Sequence, residues 1–96
     1  MGFFSSPADK YSNIEHSFTT DQIKKVFNSL RVVNLTNNEE DIVEEALIAR
    51  KGNDGKISLR QIYETVHHLK RENKISKIDE HKLMDLFIEH YKEFDN

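Results

Sequence analysis

Gly52-Asn53-Asp54-Gly55-Lys56-Ile57-Ser58-Leu59-Arg60-Gln61-Ile62 is the stretch whose reading decides the fold. The two glycines around Asn53-Asp54 mark a sharp turn. Ile57 then stands alone between polar neighbours, as in one residue of a short strand. Ser58 with Gln61 three residues later makes a capping box, and Ile57 with Ile62 makes a hydrophobic staple, so a helix starts at once. Its apolar face is Ile62, Tyr63, Val66 and Leu69, and it frays near Glu72-Asn73. Before the turn, Ile42, Val43, Ala46, Leu47 and Ala49 line one face of another helix that begins between Thr36 and Asn38. Glu39, Glu40 and Asp41 sit in its first turn, where the helix dipole favours carboxylates.

The same layout recurs upstream. His16-Ser17-Phe18-Thr19-Thr20-Asp21-Gln22-Ile23 again places an apolar residue, a hydroxyl cap, a Gln and an Ile in order. Phe18 and Ile23 form the staple, Thr19 and Gln22 the capping box. Ile23, Val26, Phe27 and Leu30 then follow at i, i+3, i+4, i+7, which predicts a helix from Thr20 to Arg31. Ser6 before Pro7 predicts a short helix start ahead of it. A last helix is expected over 77–94, capped by Ser76 with Asp79. Leu83, Leu86, Phe87, His90, Tyr91 and Phe94 form its stripe, widened by Met84 and Ile88, and such a stripe needs a partner. Residues 1–6 read as a loose end and 7–96 as a single domain.

Composition narrows the function. The chain has 96 residues, no cysteine, 32% charged residues and a net charge of −3. Disulfides and thiolate metal sites are therefore excluded, and a reducing, cytoplasmic setting is expected. No apolar run approaches the roughly 20 residues a membrane helix needs. Nucleic-acid binders carry a basic excess, and this chain carries a mild acidic one.

Taken together, Phe18-Thr19-Thr20-Asp21-Gln22-Ile23, Val26-Phe27-Asn28-Ser29-Leu30, Glu39-Glu40-Asp41-Ile42 and Asn53-Asp54-Gly55-Lys56-Ile57-Ser58 resemble the EF-hand superfamily of calmodulin, troponin C and the myosin light chains. The likeness covers roughly residues 11 to 70. It implies an all-α fold: a degenerate EF-hand pair in a four-helix lobe, with a short β link between the loops and an extra C-terminal helix. The first hand would span 7–31, the second 37–72, and the extra helix 77–94 would cover the face left open by the short first helix. The resemblance also implies that Phe18 and Ile57 lie side by side in the β link.

A calcium loop of this kind has 12 residues, with oxygen ligands at positions 1, 3, 5, 7 and 9 and a bidentate Glu at 12. Set on Gly55, the second loop runs from Arg50 to Gln61 and has Arg50, Gly52 and Asp54 in its first three ligand places. Set on Phe18, the first loop runs from Tyr11 to Gln22, with Asn13 and Glu15 as its remaining donors. Gln22 and Gln61 replace the closing glutamate. So little negative charge cannot offset dehydration of a hard dication, and no metal or other cofactor is expected.

The family binds amphipathic helices in an apolar groove, which here would include Phe27, Leu30, Ala49, Val66 and Leu69. The resemblance implies a calcium-independent adaptor, most concretely a single-lobe myosin light chain on an IQ motif of an unconventional myosin heavy chain. A basic target of that type suits Glu39, Glu40, Asp41, Glu44 and Glu45. With only Met1 and Met84, the chain lacks the methionine-rich surface of a promiscuous binder. The alternative is a small helix-turn-helix regulator, with Arg50, Lys51, Lys56 and Arg60 near a recognition helix and Glu64 interrupting the patch. For catalysis, Glu64 with His67 and His68, or His81 with Asp85, offers no third metal ligand and no known nucleophile motif, so the chain is not read as an enzyme. Gly2 with Ser6 fits a loose acylation pattern that Phe3 and Pro7 do not support, and no stable membrane anchor is expected.

Overall fold

The computed structural model describes residues 11–29 and 35–92. Among them the chain is mostly helical: strand β1 (Glu15–Ser17), helix α1 (Thr20–Ser29), helix α2 (Asn37–Arg50), strand β2 (Lys56–Ser58), helix α3 (Leu59–Arg71) and helix α4 (Lys77–Lys92). The short helix expected at Ser6-Pro7, and Leu30, Arg31 and Phe94, lie outside the described residues. No described helix is long and apolar enough to cross a membrane.

Every described helix starts for the same local reason. A hydroxyl residue accepts the backbone N–H three residues on, and the side chain there accepts the cap's own N–H. The partners are Thr19 and Gln22 at 3.1 and 2.8 Å, Thr36 and Glu39 at 3.1 and 2.9 Å. Ser58 and Gln61 do the same at 3.1 and 2.8 Å, and Ser76 and Asp79 at 3.0 and 3.2 Å. Two of each helix's otherwise unpaired N-terminal donors are thereby satisfied.

The strands pair antiparallel with Glu15 opposite Ser58, His16 opposite Ile57 and Ser17 opposite Lys56. The expected pairing of Phe18 with Ile57 is thus off by two residues: Phe18 donates its N–H to the Gly55 carbonyl at 3.2 Å. The shift keeps both side chains on one face, because strand side chains alternate with a period of two. Phe18 and Ile57 are both fully buried in the core cluster. Gly55 has φ +76°, a left-handed conformation that favours glycine and that the turn into β2 requires.

One core cluster joins the four described helices and β2. Phe18, Ile23, Val43, Leu47, Ile57, Ile62, Val66, Leu83 and Phe87 are fully buried in it. Helix α4 packs mainly along α3 and also reaches α1. Phe87 meets Phe18 and Phe27 edge-on at 5.9 and 6.1 Å between ring centres. Tyr91 packs edge-on to Phe18 at 5.7 Å and donates its hydroxyl to the Ile57 carbonyl at 2.7 Å. Burial raises the Tyr91 hydroxyl far above the ordinary phenol range.

Candidate functional site

The two turn regions are held together by protein atoms. The Lys51 ammonium donates to the Phe18 carbonyl at 3.0 Å, tying the end of α2 to the chain leaving β1. Gly52 donates to the Lys56 carbonyl and Gly55 to the Gly52 carbonyl, at 3.0 and 2.9 Å. Asp54 turns its carboxylate onto the Lys56 N–H at 3.1 Å. The same oxygen would stand 3.0 Å from a Cβ at Gly52, so any larger residue there crowds the turn. On the other side, Arg60 donates its N–H to the Ser12 carbonyl at 3.0 Å and its Nε to the Tyr11 carbonyl at 3.4 Å. The segment before β1 is thereby pinned to the first turn of α3.

The residues counted as weak calcium donors occupy other roles. Tyr11 stacks on Tyr63 at 4.8 Å, and burial raises both hydroxyls above their usual range. Asn13 and Glu15 are exposed. Gln22 and Gln61 both close capping boxes with their side-chain oxygens. Arg50 lies in the last turn of α2 and meets Glu64 of α3 at 3.7 Å. Among the described residues no group of three or more His, Asp or Glu side chains is placed to hold a metal ion.

The histidines and acids weighed for catalysis also separate. Glu64 faces Arg50, His67 meets Glu80 of α4 at 2.6 Å, and His68 meets Glu72 at 3.4 Å. His81 and Asp85 stand 3.9 Å apart on an exposed face. Three of the four cations near α3 are engaged within the chain: Arg50 with Glu64, Lys51 with Phe18 and Arg60 with Tyr11. Helix α2 reaches α3 through a turn and strand β2 rather than the short turn of a helix-turn-helix unit.

The apolar groove expected at Phe27, Leu30, Ala49, Val66 and Leu69 is not open in this conformation. Phe27, Val66 and Leu69 are only 3%, 0% and 7% exposed and belong to the core that α4 completes. The physical reason is the long stripe of α4, which is buried through Leu83, Met84, Phe87 and Tyr91. Burying Leu83, Met84 and Phe87 alone is worth about 5–9 kcal/mol, against a whole-domain stability of about 5–15 kcal/mol. Lifting α4 to admit a partner there would amount to unfolding. Leu30 lies outside the described residues, and Ala49 is exposed.

Ala49 instead belongs to an open cleft of about 430 Å³ between α2 and α3, lined by Ala46, Ala49, Arg50, Glu64, Thr65 and His68. The reading of the sequence missed this cleft, since alanines beside a buried stripe look like its margin. It also missed the tie from Lys51 to Phe18 and the His67–Glu80 contact that joins α3 to α4. No protein-family model, no curated protein and no solved structure matches the chain.

Proposed function

We propose that the chain is a calcium-independent adaptor of EF-hand layout, acting in the cytoplasm by holding a basic amphipathic helix of a partner protein. An IQ-type segment of an unconventional myosin heavy chain is the concrete form of that partner. The observation that carries the reading is the Lys51 ammonium 3.0 Å from the Phe18 carbonyl. A protein cation there joins the two turns, while both closing glutamines serve as helix caps. Shape is then maintained without a dication, so binding needs no calcium signal. The partner's charge follows from α2, which carries Glu39, Glu40, Asp41, Glu44 and Glu45 against Arg50.

The test is a titration of a labelled IQ-type peptide by fluorescence anisotropy, once in calcium and once in chelator. Equal affinity in both supports the adaptor. Binding that appears only with calcium refutes its constitutive character, and no binding in either refutes the partner class.

A further inference from the structure

Charge is spread unevenly along the chain. From Leu35 to Ala49 there are five carboxylates and no lysine or arginine, whereas from Lys70 to Lys82 five cations stand among three acids. This second stretch is the turn end of a helix hairpin. Helix α3 stops at Arg71, Asn73 takes a left-handed backbone with φ +62°, and α4 starts at Lys77. The contact of His67 with Glu80 shows α4 running back along α3, so these cations gather at one tip.

All three acids there are engaged. Asp79 is buried and accepts the Ser76 N–H at 3.2 Å. Glu80 is held by His67 at 2.6 Å and Glu72 lies 3.4 Å from His68. The cations are not. Among the described residues no ion pair or hydrogen bond engages the side chains of Lys70, Arg71, Lys74, Lys77 or Lys82. Lys70 is half-buried and the other four are exposed. Like charges left together without counter-charges favour a surface that supplies anions. Within the tip, Ile78 is 59% exposed and shares a hollow of about 320 Å³ with Lys77, Glu80, His81 and Lys82.

We propose that this tip, with Lys70, Arg71, Lys74, Lys77 and Lys82 around Ile78, docks reversibly on an anionic lipid surface. The cations meet the phosphate and carboxylate headgroups, and Ile78 reaches the apolar layer beneath them. A nucleic acid would supply phosphates too, but its bases are gripped by stacking aromatics, and the exposed apolar side chain here is aliphatic. The net charge of −3 does not prevent docking. Physiological salt screens charges more than about 8 Å away, and the molecule is 40 Å in its longest dimension. Each cation close to such a surface strengthens attachment about fivefold. This docking needs no partner helix and stands apart from the adaptor reading.

The test is co-sedimentation of the full chain with vesicles of phosphatidylcholine alone or with about one third phosphatidylserine. Wild type should sediment with the anionic vesicles only, and about 0.5 M salt should release it. Lys74→Glu with Lys77→Glu should weaken attachment at least about tenfold. Lys24→Glu with Lys25→Glu, on exposed positions of α1, makes the same change in net charge and should alter it less than about twofold. Melting curves establish that each variant is folded. Because the chain has no tryptophan, Ile78→Trp gives a single emitter at the tip. Its emission should shift to the blue on anionic vesicles and stay unchanged on neutral ones. Failure of wild type to sediment, attachment that the tip reversal retains, or emission that does not move on bound vesicles overturns the proposal. Tighter binding to a short DNA duplex than to the anionic vesicles would assign the tip to nucleic-acid phosphates and overturn it as well.

Discussion

Substituting Phe87 by Ala tests whether α4 is part of the core or a lid resting on it. Phe87 is fully buried and sits edge-on to Phe18 and Phe27 at 5.9 and 6.1 Å. Removing a ring so enclosed costs about 3–5 kcal/mol, from lost transfer energy and the cavity left behind. For a domain of this size 1 kcal/mol moves the melting temperature by about 4–8 °C, so the variant should melt at least about 12 °C lower. Urea denaturation followed by circular dichroism gives the free energy directly. A double-mutant cycle with Phe27→Ala should return about 0.5–1.5 kcal/mol of coupling for the aromatic pair. A loss under about 1 kcal/mol with no coupling would show that α4 does not dock on this face. Phe27, Val66 and Leu69 would then return as an open groove.

Further changes probe the same frame. Tyr91→Phe removes the donor to the Ile57 carbonyl and should cost about 1–2 kcal/mol in urea denaturation, because a buried acceptor loses its partner. Its alkaline limb carries a sign. The folded phenol stays protonated above the range where an unfolded one ionises, near pH ~10, so stability is intact below that pH and falls as pH rises through it. Tyr91→Phe should flatten that fall, leaving a remainder from Tyr11 and Tyr63, whose hydroxyls burial also raises; an unchanged slope would contradict this. Lys51→Met should cost about 1 kcal/mol by releasing the Phe18 carbonyl, and isothermal titration should detect no calcium uptake in its place. Gly55→Ala forces a side chain into a left-handed backbone and should cost about 1–2 kcal/mol by thermal melting, more than the same change at an unstrained turn glycine.

The parts of the fold that depend on neighbours in sequence were legible. Thr19-x-x-Gln22, Thr36-x-x-Glu39, Ser58-x-x-Gln61 and Ser76-x-x-Asp79 each predict a helix start because the cap closes over three residues. The turn at Gly52–Gly55 was legible for the same reason. The strand register was not: Phe18 and His16 have the same parity, and a shift of two residues leaves the buried face unchanged. Nothing local therefore distinguishes Phe18 from His16 as the partner of Ile57. The place of α4 was half legible. Its stripe announced that it packs on something, yet the same pattern serves a helix that fills a groove and one that lies beside it. Lys51 carried no signal at all, since its role depends on Phe18, distant in sequence.

On the proposed adaptor reading, selectivity follows from where the flexible side chains lie. Methionine lets a binding surface re-pack around many partners. Met84 is only 3% exposed and faces the core beneath α4, and Met1 lies outside the described residues. The cleft floor is instead alanine and threonine. Alanine has no rotamers to adjust, and threonine is stiff at χ1. Thr65 is fixed further by donating its hydroxyl to the Gln61 carbonyl at 2.8 Å. A floor of this kind does not deform to suit a bulky residue. Any adjustment of the cleft falls to its rim, where Arg50, Glu64 and His68 are long and partly exposed. If the proposed adaptor function holds, so few adjustable side chains on this face restrict it to a narrow set of partners.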